Sequence, residues 1–436
     1  MQVETLLLAR WVIPVEPANT VYEHYAVAIH DGCIVALLPQ AQAQQFEART
    51  TIHLDRHVLL PGLINAHSHA AMNPLRGYAD DLPLMTWLQD HIWPAEHKLV
   101  SANFVHDGSL HACAEMIRGG ITCFNDMYFF PEQTARAVEQ AGMRAVLGLI
   151  VIDFPSAYAQ NSQEYLHKGL QLHDQLRSNA LITTAFAPHA PYSVSDAPLQ
   201  HIVTLAEELD IPVHMHIHET ADEVSQAVQQ HQQRPLTRLQ QLGLLSPRLL
   251  AVHMTQLTDD EIHAVANSAT HVVHCPESNL KLASGFCPLQ KLLNAGVNVC
   301  LGTDGAASNN DLDMFGEMRT AALLAKGVAN DARAADAQTV LRMATINAAR
   351  ALGLDEHIGS ISKNKAADLI AVELDTIESL PVFHPVSQLV YATGRQQVTD
   401  VWIAGRHVMK ERVLTTLDAN EIMNKARAWQ EKMQTM

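Results

Sequence analysis

The stretch Val58-Leu-Leu-Pro-Gly-Leu-Ile-Asn-Ala-His-Ser-His69 joins an apolar run to two histidines that flank a serine. The apolar part, residues 58–66, predicts a buried β-strand. Seven further runs of this kind follow it: residues 120–125, 144–152, 181–187, 211–216, 249–252, 271–274 and 297–302. Amphipathic stretches such as residues 197–209 and 258–267 separate most of them. Alternating strands and helices imply a parallel sheet, and eight such units predict an α/β protein with a closed (β/α)8 TIM barrel.

A polar residue lies at or just after the end of each predicted strand. The set comprises His67 and His69, Asn125 or Asp126, Asp153, His189, His216, His253, His274 and Asp304. The C-terminal ends of barrel strands face one cavity, where the active sites of such barrels lie. We therefore expect these residues, which are far apart in sequence, to form one site.

The two ends of the chain have a different texture, with short apolar segments separated by turns. Residues 5–13, 25–29 and 33–38 read as strands, and residues 367–374 and 398–405 return to this pattern. A charged helix is predicted over residues 419–432. We expect residues 1–57 and 367–436 to form one small β-sandwich domain, with the barrel domain spanning residues 58–366.

Composition excludes several functional classes. Twenty-nine Lys and Arg residues against 46 Asp and Glu residues give a net charge of -17, which argues against nucleic acid or an acidic membrane as a partner. The six cysteines include no CxxC pair, which favours reduced thiols in the cytoplasm. The N-terminus lacks a signal-peptide pattern, and no apolar run is long enough to span a membrane. We expect a cytoplasmic enzyme for a small molecule, and a homo-oligomer is left open.

The histidines at the strand ends suggest a metal site. Side chains alternate along a strand with period two, so His67 and His69 point to the same side. By the same parity, His214, His216 and His218 share a side, and spacing alone does not choose among them. Neutral imidazoles with one carboxylate are ligands that suit zinc.

Four segments together resemble the amidohydrolase superfamily, and more narrowly the 5'-methylthioadenosine/S-adenosylhomocysteine deaminases. They are Pro61-Gly-Leu-Ile-Asn-Ala-His-Ser-His69, His216-Ile-His-Glu219, Ser278-Asn-Leu-Lys-Leu-Ala-Ser-Gly285 and Gly302-Thr-Asp-Gly-Ala-Ala-Ser-Asn-Asn310. The resemblance extends over nearly the whole chain.

The resemblance implies a mononuclear metal site. His67, His69, His216 and Asp304 match the ligands of a single divalent ion, usually zinc. Two-metal amidohydrolases usually carry a carboxylated lysine at the end of the fourth strand, and Thr183-Thr-Ala-Phe-Ala-Pro-His189 contains none. We therefore expect one Zn²⁺ per subunit.

The resemblance also implies a mechanism of hydrolytic deamination at C6 of an adenine nucleoside. Asp304 takes a proton from the attacking water and returns it to the departing amine, while His253 orients the water. Glu219 is protonated and donates to a ring nitrogen, which makes the adjacent carbon electrophilic. Glu219 and Asp304 thus contact the substrate as well.

Further substrate contacts follow from the same resemblance. Glu96 and His189 match groups that hold ribose hydroxyls. Trp87, Leu88 and Met85, placed in a loop, are candidates for the wall of an apolar pocket for the base or the 5' substituent.

One departure from the family pattern concerns the 5' substituent. Members that use S-adenosylhomocysteine well place arginines in and after the third strand, where they pair with the amino-acid carboxylate. Residues 146–158 contain no arginine, and Arg144 lies at the start of the strand, at the opposite end of the barrel. We therefore expect 5'-methylthioadenosine to be preferred over S-adenosylhomocysteine, with adenosine as a further substrate.

Two alternatives remain at this point. Another ring deaminase or a triazine hydrolase of the same branch would share the fold and the metal ligands. An inactive amidohydrolase-like scaffold would be expected to lose ligands, whereas every expected ligand is present here. Metal analysis separates an active enzyme from a scaffold, because a scaffold should purify without stoichiometric zinc.

Overall fold

The computed structural model describes residues 1–435 and contains two eight-stranded sheets. Four strands of the first sheet come from the N-terminal part: β1 (Gln2–Val12), β2 (Tyr22–His30), β3 (Cys33–Pro39) and β4 (Glu47–Pro61). The second sheet comprises β5 (Leu63–Ser68), β6 (Ile121–Asp126), β7 (Arg144–Val151), β8 (Ile182–Pro188), β9 (Val213–Ile217), β10 (Leu249–His253), β11 (His271–His274) and β12 (Val299–Leu301). The first sheet is completed by β13 (Leu369–Glu373), β14 (Val398–Ile403), β15 (Arg406–Lys410) and β16 (Val413–Leu414).

Helices connect the strands of the second sheet and close the chain. The α-helices are α1 (Leu84–Thr86), α2 (Trp93–Leu99), α3 (Ala102–Arg118), α4 (Pro131–Ala141), α5 (Ser162–Leu176), α6 (Asp196–Leu209), α7 (Ala221–His231), α8 (Pro235–Gln241), α9 (Asp259–Asn267), α10 (Pro276–Lys281), α11 (Leu289–Asn294), α12 (Met314–Ala329), α13 (Ala337–Met343), α14 (Ile346–Ala351), α15 (Pro385–Tyr391) and α16 (Ala419–Gln434). Shorter helical turns are the 3₁₀ segments Gln40–Gln45, Ala70–Leu75 and Arg395–Gln397 and the π segment Trp87–Ile92.

The second sheet is the predicted TIM barrel. Its strands pair in parallel and in sequence order from β5 to β12. The first and last strands meet where Thr303 N donates to Asn65 Oδ1 at 2.9 Å and Asp304 N donates to the His67 carbonyl at 3.0 Å. A Cβ on Gly302 would lie 2.8 Å from the His67 Cβ, so this contact needs a glycine. The eight-unit barrel fold is therefore confirmed.

The first predicted barrel strand is in fact two strands. Residues 58–61 belong to β4, where Val58 lies opposite Trp11 of β1 and Leu60 lies opposite Ile370 of β13. The barrel strand β5 begins only at Leu63. Between them, a Cβ on Gly62 would lie 2.0 Å from Thr122 Oγ1, so the chain passes from one sheet to the other at a glycine. The small sheet thus extends to Pro61, past the predicted boundary at residue 57.

The small sheet unites both chain ends, as predicted, in the order β16-β15-β14-β13-β4-β1-β2-β3. It is one continuous sheet that curves so that the turn between β2 and β3 meets the segment before β13: Ala367 N donates to the Gly32 carbonyl, and Cys33 forms an isolated bridge with Ala366. A Cβ on Gly32 would lie 2.8 Å from the Ala404 carbonyl oxygen. The predicted sandwich is therefore one sheet folded over a core that includes Trp402.

Arg144 fastens the base of the barrel to the small sheet. Its Nε donates to Asp368 Oδ2 at 2.8 Å and its Nη2 donates to Asp368 Oδ1 at 3.2 Å, and both side chains are buried. Asp368 immediately precedes β13. Arg144 therefore lies at the start of β7, at the end of the barrel opposite the strand-end histidines.

Two absences bear on the predictions made from composition. The six cysteines form no disulfide within residues 1–435. Among the described residues, no helix combines the length and the apolar character that crossing a bilayer requires.

Candidate active site

Four predicted ligands converge at the C-terminal end of the barrel. His67, His69, His216 and Asp304 each offer one atom, and these atoms all lie within 4.8 Å of one another. Asp304 Oδ1 is 3.2 Å from Nε2 of both His67 and His69, and the Nε2 atoms of His67 and His216 are 3.2 Å apart. Ligands of a tetrahedral zinc ion at about 2.0–2.2 Å lie about 3.3–3.6 Å apart, so this donor set fits such an ion.

The second ring nitrogen of each imidazole is held by a partner of its own. Nδ1 of His67 lies 2.8 Å from Nε2 of His214, and Nδ1 of His69 lies 2.6 Å from the Met127 carbonyl oxygen. Nδ1 of His216 lies 2.8 Å from the carbonyl oxygen of His189. Such partners fix ring orientation and leave the Nε2 atoms directed at a common point.

The structure shows which of His214, His216 and His218 joins the metal cluster, a choice that the alternation of side chains along a strand left open. His216 joins the cluster, and His214 lies deeper and contacts His67. His218 instead accepts a hydrogen bond at Nε2 from Leu236 N at 3.2 Å and lies 3.9 Å from Glu261. The expectation that all three share a side is wrong for His218, because its φ of 54° breaks the strand alternation.

Burial and the shared carboxylate set the charges in this cluster. Burial lowers the pKa of His67 to about 4 and holds the pKa of His216 well below its ordinary value. Burial also lowers the pKa of His69, but the hydrogen bond to Asp304, the charge of Asp304 and the contact with the Met127 carbonyl together outweigh it and raise this pKa to about 9. Burial alone would raise the pKa of Asp304, whereas its hydrogen bonds with the two histidines hold that pKa well below the ordinary value, so Asp304 is a carboxylate.

Asp304 is fixed on both oxygens by its own loop and by α10. Oδ1 accepts a hydrogen bond from Gly305 N at 2.8 Å, and Oδ2 accepts one from Ser278 Oγ at 2.6 Å. The backbone of Asp304 has φ 64°, a left-handed conformation that non-glycine residues adopt at a cost of about 1–3 kcal/mol. Its surroundings therefore determine the orientation of this carboxylate.

Glu219 and His253 lie side by side next to the cluster. Glu219 follows β9, His253 ends β10, and Glu219 Oε2 is 3.8 Å from His253 Nε2. Burial raises the pKa of Glu219; the neighbouring His253 opposes this effect and the charge of Asp304 adds to it, so that the pKa stays above its ordinary value. A buried carboxyl with a raised pKa is suited to proton donation at neutral pH.

His189 lies against the metal cluster, and Glu96 is close enough to it for the charge of His69 to act on the Glu96 pKa. Glu96 Oε1 accepts a hydrogen bond from the Tyr128 hydroxyl at 2.6 Å, and burial raises the pKa of Glu96. His189 follows β8, with its ring centroid 4.9 Å from that of His216 and its Nδ1 3.0 Å from Ser193 Oγ. Burial lowers the pKa of His189 to about 3, so the ring is neutral.

The residues predicted to wall an apolar pocket lie on helical turns, which corrects their expected placement in a loop. Trp87 and Leu88 begin the π segment, Met85 belongs to α1, and Glu96 lies on α2. Trp87 is buried in a hydrophobic cluster that also contains Tyr128, whereas Leu88 and Met85 are half-buried. Trp87 and Tyr128, whose hydroxyl donates to Glu96, therefore belong to the same hydrophobic cluster.

Of the other strand-end residues, Asp126 and Asp153 accept hydrogen bonds from the backbone of neighbouring segments, whereas His274 is buried. Asp126 Oδ1 accepts a hydrogen bond from Ala70 N at 2.7 Å, and Asp153 Oδ2 accepts one from Ser195 N at 2.7 Å. His274 is buried with no hydrogen-bond partner for Nδ1 among residues 1–435, and burial lowers its pKa to about 3.

Several contacts at the site were not predicted. Asn279 Oδ1 lies 2.9 Å from His253 Nδ1, and Glu223 accepts hydrogen bonds from His218 N and Glu219 N at 3.1 and 2.7 Å. Glu223 could have been found, because Thr220 and Glu223 have the spacing of a helix N-terminal capping motif. Asn279 lies in a quoted motif, but only the fold shows what it contacts.

Known proteins are similar to this chain over nearly its full length. The profile of the Amidohydrolase family matches residues 58–408. The 5-methylthioadenosine/S-adenosylhomocysteine deaminase of Saccharophagus degradans is 51% identical over 432 residues, which cover 99% of this chain and 97% of the relative. The protein of the same name from Thermodesulfovibrio yellowstonii is 39% identical over 431 residues, covering 98% of each chain.

Solved structures agree with this grouping. A crystal structure described as an adenosine deaminase from Xanthomonas campestris with bound zinc has a TM-score of 0.99 and 53% identity, covering 100% of this chain and 99% of that chain. Atrazine chlorohydrolase from Arthrobacter aurescens complexed with zinc has a TM-score of 0.91 at 21% identity, covering 98% and 99%, which shows a shared fold. With a family profile spanning the barrel and relatives at this identity, the chain belongs to the amidohydrolase family.

Proposed function

We propose that this protein hydrolyses the 6-amino group of an adenine nucleoside, with 5'-methylthioadenosine as its preferred substrate. Water adds its oxygen at C6, the bond from C6 to the amino nitrogen breaks, and the products are 5'-methylthioinosine and ammonia. The observation that carries the proposal is the buried Glu219 carboxyl with a raised pKa, 3.8 Å from His253 and beside a His₃Asp cluster. The relatives named as deaminases support it.

In this proposal, His67, His69, His216 and Asp304 hold one zinc ion. The donor set and the 3.2 Å spacings support this assignment, as does the absence of a lysine at the end of β8. When bound, zinc lowers the pKa of a water molecule to about 7. The bound zinc in the Xanthomonas structure supports the choice of metal.

The protein's own residues handle the protons. Asp304 accepts a proton from the attacking water and later delivers it to the amino group that leaves. His253 accepts a hydrogen bond from the water and so aims it at C6. Glu219 is protonated and gives its proton to a purine ring nitrogen, which draws electron density from C6 as the water attacks. When ammonia leaves, the second proton of the water, now on the oxygen bound to C6, returns to Glu219, and the 6-oxo product forms.

The remaining residues position the nucleoside. We assign Glu96 and His189 to the ribose hydroxyls, as the family resemblance implies; the ring of His189 lies 4.9 Å from that of His216. Met85, Trp87 and Leu88 are assigned to the apolar wall that faces the base or the 5' substituent.

The 5' pocket is proposed to be neutral. Residues 146–158 contain no arginine, and Arg144 is engaged with Asp368 at the other end of the barrel. A substrate with a 5' amino-acid group would leave its carboxylate unpaired there. We place the enzyme in the cytoplasm, as the cysteine pattern of the sequence favours.

The test is ammonia release by zinc-loaded protein from 5'-methylthioadenosine, adenosine, S-adenosylhomocysteine, guanine and cytosine. We expect the highest kcat/KM for 5'-methylthioadenosine and a value about 10- to 100-fold lower for S-adenosylhomocysteine, since an unpaired charged group costs about 1.5–3 kcal/mol. Comparable kcat/KM for these two would refute the neutral pocket.

Two variants control this assay. Asp304→Asn should abolish turnover, while Asp400→Asn changes a buried aspartate of the small sheet that contacts His407 and should retain activity. Release from guanine or cytosine alone would make the protein a different ring deaminase. A protein that neither binds zinc nor releases ammonia from any of these compounds would be an inactive scaffold.

A further inference from the structure

The short helix α10 contacts two proton-handling groups through adjacent residues. Ser278 Oγ donates to Asp304 Oδ2 at 2.6 Å, and Asn279 Oδ1 lies 2.9 Å from His253 Nδ1. Both Ser278 and Asn279 are at most 1% exposed. Ser278 therefore contacts a member of the metal cluster, whereas Asn279 contacts His253, which lies outside that cluster.

We propose that Asn279 is a positioning residue that fixes the tautomer of His253. The inference rests on the proposed function, in which His253 accepts a hydrogen bond from the attacking water. Asn279 acts on the reaction only through His253.

The chemistry of the contact defines the tautomer. The amide oxygen of Asn279 can only accept a hydrogen bond, so the neutral His253 ring carries its proton on Nδ1. Nε2 then keeps its lone pair, and Nε2 is the nitrogen that faces Glu219, 3.8 Å away. The opposite tautomer would present an N–H there and could not accept a hydrogen bond from water.

The backbone holds both partners in place. Asn279 N donates to the Cys275 carbonyl at 3.0 Å, and Ser284 N donates to the Asn279 carbonyl at 2.9 Å. His253 has φ 75°, and its ring stacks on that of His216 with centroids 5.4 Å apart at 18°. With the ring plane set by stacking, the hydrogen bond to Asn279 decides which nitrogen carries the proton.

Two substitutions separate this role from simple packing. Asn279→Leu removes the acceptor at nearly constant volume, and we expect kcat to fall about 10- to 100-fold with little change in KM. Asn279→Asp keeps an acceptor, so at its own pH optimum it should retain a clearly larger kcat than Asn279→Leu. If aspartate is as poor as leucine, Asn279 does not act as an acceptor and the proposal is overturned.

A matched control exists at the other end of the barrel. Asn298 Nδ2 lies 2.9 Å from His271 Nδ1 and forms a second Asn–His contact, away from the cluster. Asn298→Leu should leave kcat unchanged. An equal loss in Asn298→Leu and Asn279→Leu would mean that the effect is general destabilisation.

A double-mutant cycle tests whether Asn279 acts through His253. In a His253→Gln background, Asn279→Leu should cost almost nothing further, because the group it positions is gone. An undiminished loss in that background would overturn the proposal. Zinc content should match wild type in every Asn279 variant.

A readout without turnover keeps this inference separate from the proposed function. In histidine-labelled, zinc-loaded protein, long-range ¹H–¹⁵N NMR should show the His253 proton on Nδ1, with the signals assigned by their loss in His253→Gln. Asn279→Leu should show a mixture of tautomers or the opposite one. A wild-type protein that releases no ammonia would refute the proposed function, whereas a wild-type proton on Nε2 would refute this inference.

Discussion

Replacement of Glu219 by glutamine tests the proton donor. The amide keeps nearly the same shape, but it cannot transfer a proton to a purine nitrogen. In the folded protein the Glu219 side chain is buried, and its Oε2 lies 3.8 Å from His253 Nε2.

The size of the expected effect follows from that geometry. A positioned general acid contributes about 10²- to 10⁴-fold in rate, which corresponds to about 2.7–5.4 kcal/mol of transition-state stabilisation. We expect kcat for 5'-methylthioadenosine to fall by this factor in Glu219→Gln, with a smaller change in KM because the amide can still donate a hydrogen bond. The measurement is steady-state ammonia release with the zinc content determined on the same samples.

Stability should move in the opposite direction. Burial raises the folded-state pKa of Glu219 above its ordinary value of 4.5, so the unfolded chain ionises first as pH rises from that value. The carboxyl therefore costs folding free energy through the window between the two pKa values, and the full cost persists above it. Glutamine has no such cost, so thermal unfolding at neutral to alkaline pH should show Glu219→Gln at least as stable as wild type.

A Glu219→Gln variant with wild-type kcat and full zinc content would show that Glu219 is not the proton donor. A variant that loses both activity and stability would instead indicate that Glu219 is an ionised structural residue. The pair of measurements therefore distinguishes a neutral acid from a charged one.

Two further substitutions test the supports of the site. In Glu223→Gln, one of the backbone N–H groups of His218 and Glu219 loses its acceptor. An unsatisfied buried donor costs about 1–3 kcal/mol, so we expect kcat/KM to fall about 5- to 100-fold at unchanged zinc content. Full activity of this variant would contradict the supporting role of Glu223. In His214→Leu, Nδ1 of His67 loses its partner, and zinc affinity measured by chelator competition should fall about 10- to 100-fold. Wild-type affinity in that variant would remove His214 from the metal site.

The barrel could be predicted because its strands are buried on both sides and read as apolar runs between amphipathic helices. The same property hid the break at Gly62, since residues 58–61 are as buried in the small sheet as residues 63–66 are in the barrel. The first part of β4, from Glu47 to Arg56, is largely exposed and polar, so it gave no strand signal. The helical turns around Trp87 were missed because Pro83 and Pro94 flank them and suggest a loop.

The residues of the site also fall into those that the sequence could predict and those that it could not. Residues at strand ends could be predicted to meet, because parallel strands end at one edge of the barrel. Asn279 is separated from His253 by 26 positions, and no periodicity relates the two. Contacts of this kind depend on how the loop after one strand packs on the end of another, and only the folded chain defines that.

The backbone at His218 explains how Glu219 reaches the cluster. With period-two alternation His216 faces inward, Ile217 faces outward, and Glu219 would face outward as well. The φ of 54° at His218 inverts this order, so that His218 turns to Leu236 while Glu219 lies beside His253. A left-handed residue costs about 1–3 kcal/mol, and the two hydrogen bonds that Glu223 accepts from His218 N and Glu219 N hold the turn against that cost. In this chain, the three-residue spacing of His216 and Glu219 therefore places the proposed metal ligand before a left-handed turn and the proposed acid after it.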